Sequence, residues 1–584
     1  MRLEDYWGVG PKTSERLQES LGVEAAVEAI ETADVRALTE AGLSRGRAVR
    51  ILRRANGGAG MDLLGTRDAR AVYDDLLDIA SGYAVTDHAA DRIRVLTPLP
   101  DREARESRLD RVLAAREVWD GLDGTAREAV LDAFQEYDAR GGSERAAVQA
   151  ALALREAGLR GGTFEALDGV DEAALREAAG ALGYVDDGDV AAGADEELDR
   201  LRSLFDQAQD LENGALDVLE SVREGDVRSL EAFESAFVEY VASETDIPRG
   251  TVRGAAAADA VDAADFVTTS LRELVATLEA DVEAREGTVA ADLTEIIEAA
   301  REDVDAAVDA VDDIAVDVSL GRFAAAHDLT RPSHAEDGLA VIDARNLFLD
   351  GDVQPTTYAV GSHDLTDRSD AAPRPPSGDR VAVLTGANSG GKTTLLETLC
   401  QVTVLAAMGL PVPARAAAVG AFDAVVFHRR HASFNAGVLE STLKSIVPPL
   451  TDDDRVLMLV DEFEAITEPG RAADLLNGLV DLTVDREALG VYVTHLADDL
   501  SPLPEAARID GIFAEGLTPE LDLRVDYQPR FGTVGKSTPE FIVSRLVANA
   551  GDRTERAGFE ALAAAVGEEA VQRTLSDARW TESD

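Results

Sequence analysis

The chain has 584 residues, room for roughly three or four domains of ordinary size. Its 112 acidic and 56 basic side chains leave a formal net charge of -56, yet 45% hydrophobic residues are enough to bury real cores, which excludes global disorder. The single cysteine, Cys400, excludes a disulfide framework, and no apolar run of about 18 residues is present to span a membrane. Residues 1–60 come first and differ from the rest: nine basic and nine acidic side chains make them neutral, so the remaining 524 residues carry the whole deficit. They close on Asn56-Gly57-Gly58-Ala59-Gly60, a linker by composition. Residues 61–330 read as helical, being rich in Ala, Leu, Glu, Asp and Arg and poor in Pro. Apolar residues at three- and four-residue spacing from Leu271 to Ala325 predict long amphipathic helices, and a second such run covers Glu196–Arg223. Ser243–Gly254 between them reads as a connecting tip, so this part is either an arm or an ordinary helical bundle. From about Gly338 short apolar strands alternate with helical stretches: Gly338–Asp343, Val381–Thr385, Ala424–His428, Val456–Val460 and Val491–Thr494. That alternation predicts an α/β domain. The tail 546–584 reads as a small helical appendage.

The acidic surplus is spread along the chain, a halophile-type composition that keeps water and cations bound in molar salt. Only four lysines occur, Lys12, Lys392, Lys444 and Lys536. The start, MRLEDYWGVG, does not read as a signal peptide, and the expectation is a cytoplasmic protein without a membrane partner. His428 and His431 are the one close histidine pair and are read as incidental rather than metal-binding.

The strongest chemical signal is Gly386-Ala387-Asn388-Ser389-Gly390-Gly391-Lys392-Thr393, followed by Thr394, directly after the strand Val381–Thr385 and opening a helix. Glycines at these positions let backbone N–H groups close around phosphate oxygens, and the helix N-terminus adds a favourable dipole. Lys392 would reach the β- and γ-phosphates of ATP, and the Thr393 hydroxyl would bind Mg²⁺. A second apolar strand, Val456–Val460, ends in Asp461-Glu462. Asp461 would help hold Mg²⁺, and Glu462 would polarise the attacking water. A third ends in Thr494-His495, where His495 could sense the γ-phosphate and position water. The catalytic candidates are therefore Glu462, His495 and Lys392. This order, with a Glu after the Asp, argues an ABC-type P-loop ATPase whose site a second subunit completes, hence a homodimer. The segment Ala432–Ser441 is the candidate trans signature, with Ser433, Asn435 and Glu440 as its polar groups.

GANSGGKTT, DEFEAITEPG, VYVTHLADDL and YQPRFGTVGKSTPEFIVSRL together resemble the ATPase domain of the MutS family. Upstream, LTPLPDREARESRLDRVLAAREVW is similar to the start of the family's helical core and ELDRLRSLFDQAQDLENG to its lever helix, so the resemblance covers about residues 90–545. It implies a multidomain fold: a mostly helical core and lever with an arm at 61–330, an ABC-type ATPase at 335–545 and a helical appendage at 546–584. The family's N-terminal mismatch-reading domain, with its Phe-x-Glu wedge, has no counterpart here. Asn435 stands about where the family has Ser in its signature loop, whereas Glu440 fits.

At the N-terminus, Trp7-Gly8-Val9-Gly10-Pro11-Lys12-Thr13 resembles a helix-hairpin-helix motif, giving a DNA-binding domain at 1–58. Its hairpin would offer backbone N–H groups to phosphates regardless of base sequence. A second copy is read at Ala41–Gly46, leading into a helix whose Arg47, Arg50 and Arg54 share one face. The DNA-contacting candidates are Gly8, Gly10, Lys12, Thr13, Arg45, Arg47 and Arg50; a protein-binding module with a solvated basic face is the alternative. In about 1 M salt the Debye length is near 3 Å, so close hydrogen bonds and shape must replace long-range attraction. That points to structured or branched DNA. The expected activity is a dimeric ATPase on branched or damaged DNA in repair or recombination, not mismatch recognition. The alternative is an ATPase that rescues collided ribosomes, with the ribosome as partner; a third is a nucleotide-gated clamp with little turnover.

Overall fold

The computed structural model describes residues 3–186, 189–224, 229–351, 353–365, 373–386, 391–429, 436–452, 455–462, 469–496, 499–500, 502–518, 523–535, 539–567, 569 and 571–575. The described chain is mostly helical with two mixed sheets, and it divides into two compact units, residues 1–127 with 312–584, and residues 128–311.

The first unit begins with four short helices: α1 (Pro11–Leu21), α2 (Val23–Glu31), α3 (Val35–Glu40) and α4 (Arg45–Gly57). Pro11 opens α1 where a missing N–H costs nothing, and Asp34 caps α3 by accepting from Ala37 N at 2.9 Å. Leu17, Ile30, Leu38 and Leu52 are fully buried between them, each contributing about 1.5–3 kcal/mol of transfer free energy. Gly8, Gly22 and Gly42 take positive φ in the connections, where a side chain would strain the backbone.

Three more helices follow, α5 (Arg67–Ser81), α6 (Asp87–Arg94) and α7 (Arg102–Gly121), capped by Thr66, Thr86 and Asp101. The segment before α5 is stitched to the edge of the main sheet. Leu64 forms a parallel bridge with Val425, and the Thr66 hydroxyl donates to Phe427 O at 2.6 Å and accepts from Phe427 N at 3.2 Å. A side chain thus stands in for a missing strand neighbour, one way of closing a sheet edge.

The second unit lies in residues 128–311. Its helices include most of α8 (Gly124–Ala139), then α9 (Glu144–Glu156), α10 (Glu172–Ala181), α11 (Glu196–Asn213), α12 (Ala215–Glu224), α13 (Leu230–Glu244), α14 (Arg249–Gly254) and α15 (Ala263–Ala299). It also holds the two-residue strands β1 (Val185–Asp186) and β2 (Asp189–Val190). α15 runs 37 residues to Ala299, and a single residue, Ala300, separates it from α16 (Arg301–Ala326). α11 lies along α15, and Asp195 at its N-cap pairs with Arg285 at 2.6 Å. The predicted run Glu196–Arg223 is broken at Gly214, and the predicted tip Ser243–Gly254 contains a helix, α14. These short helices cover their own core: Phe237 is fully buried and meets Phe266 edge to face at 5.5 Å.

Back in the first unit, β3 (Ser333–His334), β4 (Asp337–Ala344), β5 (Thr356–Ser362) and β7 (Ala416–Val419) make a four-stranded sheet in the order β3-β7-β4-β5. The larger sheet has six strands in the order β12-β11-β6-β10-β9-β8. These are β6 (Val381–Gly386), β8 (Ala424–His428), β9 (Val456–Val460), β10 (Leu489–Val493), β11 (Ala507–Leu517) and β12 (Leu523–Arg530). All pair in parallel except β11 with β12. β6, β8, β9 and β10 are buried throughout, which explains why they read as unbroken apolar runs rather than alternating ones. Helices α17 (Lys392–Ala407), α18 (Ala436–Asp452) and α19 (Pro469–Asp485) connect them, and α20 (Pro539–Asn549) and α21 (Arg553–Val566) close the chain.

Candidate functional site

Parallel strands end on the same edge of a sheet, so residues just past β6, β9 and β10 meet there. Chain order also reverses at β6: the strands on one side are β10, β9 and β8, and on the other β11. Ligand crevices of open α/β sheets form at such a switch point. In register, Val493 lies beside Leu384 and Tyr492 beside Val460. The ladder continues past the strands, with Thr494 N on Leu384 O at 3.0 Å and Glu462 N on Val493 O at 3.1 Å.

This register brings Lys392, Thr393, Asp461, Glu462 and His495 together. Lys392 is the first residue of α17 and is buried, with Nζ donating to Gly386 O at 3.0 Å. The Thr393 hydroxyl donates to Asp461 Oδ2 at 2.5 Å. Asp461 itself is 2% exposed, a depth at which a carboxylate needs charged or hydrogen-bonding partners. Next to it, His495 Nε2 is hydrogen-bonded to Glu462 Oε1 at 2.9 Å. Glu462 holds φ at +39°, a left-handed conformation that an L side chain adopts only when its surroundings enforce it.

Two glycines shape the loop that α17 follows. At Gly386 (φ +130°) a Cβ would stand 2.2 Å from Ile512 O, so no larger residue fits against β11. At Gly391 (φ +72°) it would stand 2.8 Å from the ring of Tyr527. Beneath the loop, Gly535 N donates to Thr385 Oγ1 at 2.6 Å, and that hydroxyl donates to Asp510 O at 2.9 Å. Burial pushes the Asp510 carboxyl above its ordinary range against the pull of Arg508, and Tyr358 donates to it at 2.9 Å. Thr394 faces the other way: its carbonyl accepts from Asn346 Nδ2 at 3.3 Å, which ties α17 to the segment after β4. Ala387, Asn388, Ser389 and Gly390 lie outside the described residues, as do Ser433, Asn435, Lys536 and Ser537. Glu440 is exposed on α18 and takes Lys444 Nζ at 2.5 Å.

Thr393 and Asp461 offer hard oxygen donors within hydrogen-bond distance of each other, a set that suits Mg²⁺. The fit is to oxygen chemistry, and no cluster of three His, Cys, Asp or Glu metal ligands occurs among the described residues. His428 is buried against Thr442 Oγ1 at 3.1 Å, whereas His431 lies outside the described residues.

Among curated proteins, the DNA-binding protein MutS2 of Pyrococcus furiosus is 43% identical over 221 residues, which are 38% of this chain and 38% of that protein. This similarity supports membership of the MutS family. The endonuclease MutS2 of Thermomicrobium roseum is 29% identical over 191 residues, 31% of this chain and 24% of that protein. The mitochondrial DNA mismatch repair protein MSH1 of Arabidopsis thaliana is 33% identical over 122 residues, 20% of this chain and 11% of that protein. The chain thus matches well under half the length of each of these relatives. No family model matches it.

The N-terminal candidates are placed less simply. Gly8, Gly10 and Lys12 sit at and just after the turn into α1, with Gly8 at φ +82° and Lys12 exposed. Thr13 is buried, and its hydroxyl accepts from Arg47 Nη2 at 2.6 Å. Arg47 therefore bridges the starts of α1 and α4. Arg45 is paired with Asp91, and Arg50 Nε donates to Gly46 O at 3.1 Å while its side chain remains exposed. Two aromatics were not among the candidates read from sequence. Trp7 is 59% exposed beside Gly8, and Tyr527 is 42% exposed beside Gly391. An aromatic at the tip of a glycine hairpin was a usable signal for Trp7. Tyr527 carried none, because only the pairing of β12 with β11 puts it near the loop.

Proposed function

We propose that the chain is an ATP-dependent DNA-binding protein, a homodimeric ATPase acting on branched or damaged DNA in repair or recombination rather than in mismatch recognition. The observation that carries this reading is the convergence of Lys392, Thr393, Asp461, Glu462 and His495 at the carboxyl ends of β6, β9 and β10. In it, Lys392 and the backbone N–H groups from Gly386 to Thr394 bind the phosphates of ATP, Ala387, Asn388, Ser389 and Gly390 among them. Thr393 and Asp461 hold Mg²⁺, which when bound neutralises charge on the phosphoryl oxygens. Glu462 accepts a proton from the attacking water, and His495, hydrogen-bonded to that carboxylate, keeps it aimed. Tyr527 offers an aromatic surface beside the loop for the base. Ser433, Asn435 and Glu440 serve the partner subunit's nucleotide.

DNA binding rests on the neutral N-terminal segment, on the printed description of the Pyrococcus relative as DNA-binding, and on the exposed Lys12 and Arg50 beside the Gly8–Gly10 hairpin. Hairpin N–H groups contact phosphates without reading bases, and Arg47, held by Thr13, sets the spacing of the two motifs.

The test is ATP turnover in molar KCl with no nucleic acid, with duplex, with a four-way junction and with purified ribosomes. Stimulation by the junction above duplex, lost when residues 1–58 are deleted, is the expected result. Stimulation by ribosomes alone would overturn the reading.

A further inference from the structure

A second site lies in the first unit, away from the ATP loop. A cleft of about 440 Å³ opens between the segment before α5, the start of α7, β3 and the turn from β7 to β8. Clefts of this size hold ligands as large as a mononucleotide. Its walls are built by close backbone approach: a Cβ on Gly60 would stand 2.1 Å from Pro98 O, and one on Gly409 would stand 2.6 Å from Arg105 O.

Guanidinium groups converge on the cleft in a chain whose net charge is -56. Arg102, Arg105, Arg455 and His334 all line it. Its carboxylates have guanidinium partners: Asp423 pairs with Arg455 at 2.7 Å, Glu106 with Arg331 at 3.2 Å, an arginine it shares with Asp110, and Asp62 with Arg54 at 3.4 Å. Arg102 and Arg105 have no ion-paired carboxylate among the described residues. Arg105 Nη1 donates to the carbonyls of Leu99 and Pro100 at 2.7 and 3.1 Å, which fixes the guanidinium and leaves Nε and Nη2 for a ligand. Burial lowers the pKa of Arg105; the Asp101 and Glu106 carboxylates pull it back up, while the guanidinium groups of Arg102 and Arg455 push it down. Partial burial also lowers that of His334, with Arg102, Arg105 and Arg455 adding to it and Glu106 opposing them. Mutual repulsion of this kind is what a bound anion relieves. Phe422 and Pro98 supply an apolar wall.

We propose that this cleft binds a small phosphate ester of mononucleotide size, its phosphate on Arg102, Arg105 and His334 and its organic part against Phe422. A planar guanidinium fork favours phosphate oxygens over a spherical halide, so the site can work in a chloride-rich medium.

The test uses the full chain carrying Lys392→Ala, which removes the phosphate-binding lysine of the other site. AMP, adenosine and inorganic phosphate are titrated separately, by calorimetry and by thermal shift, at constant KCl. The expected result is one AMP bound per chain, phosphate more weakly and adenosine not at all. Arg102→Ala and, separately, His334→Gln should each weaken AMP by about tenfold, the scale of one charged hydrogen bond, with unliganded Tm unchanged. Both residues are exposed, so neither change threatens folding. Phosphate binding as tightly as AMP would keep the anion site and remove the role of Phe422. Equal AMP affinity in all three proteins, or binding only by 5′-phosphorylated DNA, would overturn the proposal. Wild-type turnover is measured in parallel, so failure here and failure at the ATP loop are read separately.

Discussion

The edge of the six-stranded sheet and the N-terminal helices were both read from glycine-bearing motifs, yet they are built differently. At the sheet edge the polar groups sit on strand ends, are buried, and hydrogen-bond to one another: Thr393 to Asp461 and His495 to Glu462. In the N-terminal helices the cations lie on long exposed side chains, and several are engaged internally, Arg47 by Thr13 and Arg45 by Asp91. Groups fixed by buried backbone are preorganised for chemistry, where small displacements are costly. Groups on exposed helix faces suit phosphate contacts, which tolerate variation and act largely through charge.

The largest effect expected from this contrast is at Glu462. Glu462→Gln keeps the shape and hydrogen-bonding capacity but not the base, so ATP turnover should fall by about 10²–10⁴-fold with nucleotide still bound. Turnover equal to wild type would remove Glu462 from its role and favour a clamp with little hydrolysis. Next is Gly386→Ala. Its Cβ would stand 2.2 Å from Ile512 O, so the variant should lose about 1–3 kcal/mol of stability, with weaker nucleotide binding, in denaturant titration and calorimetry. An equally stable variant would mean that β6 and β11 are not held as closely as described.

The N-terminal face should respond more mildly. Lys12→Ala and Arg50→Ala should each weaken DNA binding evenly across sequences and reduce the slope of log affinity against log salt by about one. Loss of binding to one sequence only would point to base reading instead.

The smallest effect concerns the second unit. Asp195 is held down to about 2 by its hydrogen bonds with Arg285 and with Leu198 N. A depressed carboxyl stabilises the fold above its unfolded pKa of about 4 and loses that contribution as pH falls through its folded value. Asp195→Asn should therefore be slightly less stable than wild type at neutral pH, with the gap closing between about pH 4 and pH 2 in acid unfolding curves. A gap that stays constant through acid would assign the contribution to helix capping rather than charge.

Much of the sheet was legible because local rules suffice there. The runs Ala424–His428 and Val456–Val460 coincide with β8 and β9, and the stretch read as Val381–Thr385 extends by one residue, since continuous apolar runs of this length are strands buried on both faces. The break at Gly214 was missed because α11 and α12 have nearly continuous apolar spacing. β5, β11 and β12 are not legible from sequence, because they mix polar and glycine residues with apolar ones and are set by pairing with strands distant in sequence.

By itself, then, the amino-acid order determined the elements that carry chemistry: a glycine loop before Lys392-Thr393, an acid pair after one buried strand, and a histidine after another. Tertiary structure decided which of these meet, through the parallel register of β6, β10 and β9. It also decided that Thr13 is buried under Arg47, that Tyr527 comes to lie beside Gly391, and that Arg102, Arg105, His334 and Arg455 share a cleft. The physical reason is range: turn geometry and apolar period act over a few residues, while strand order and charge convergence depend on chain segments hundreds of residues apart.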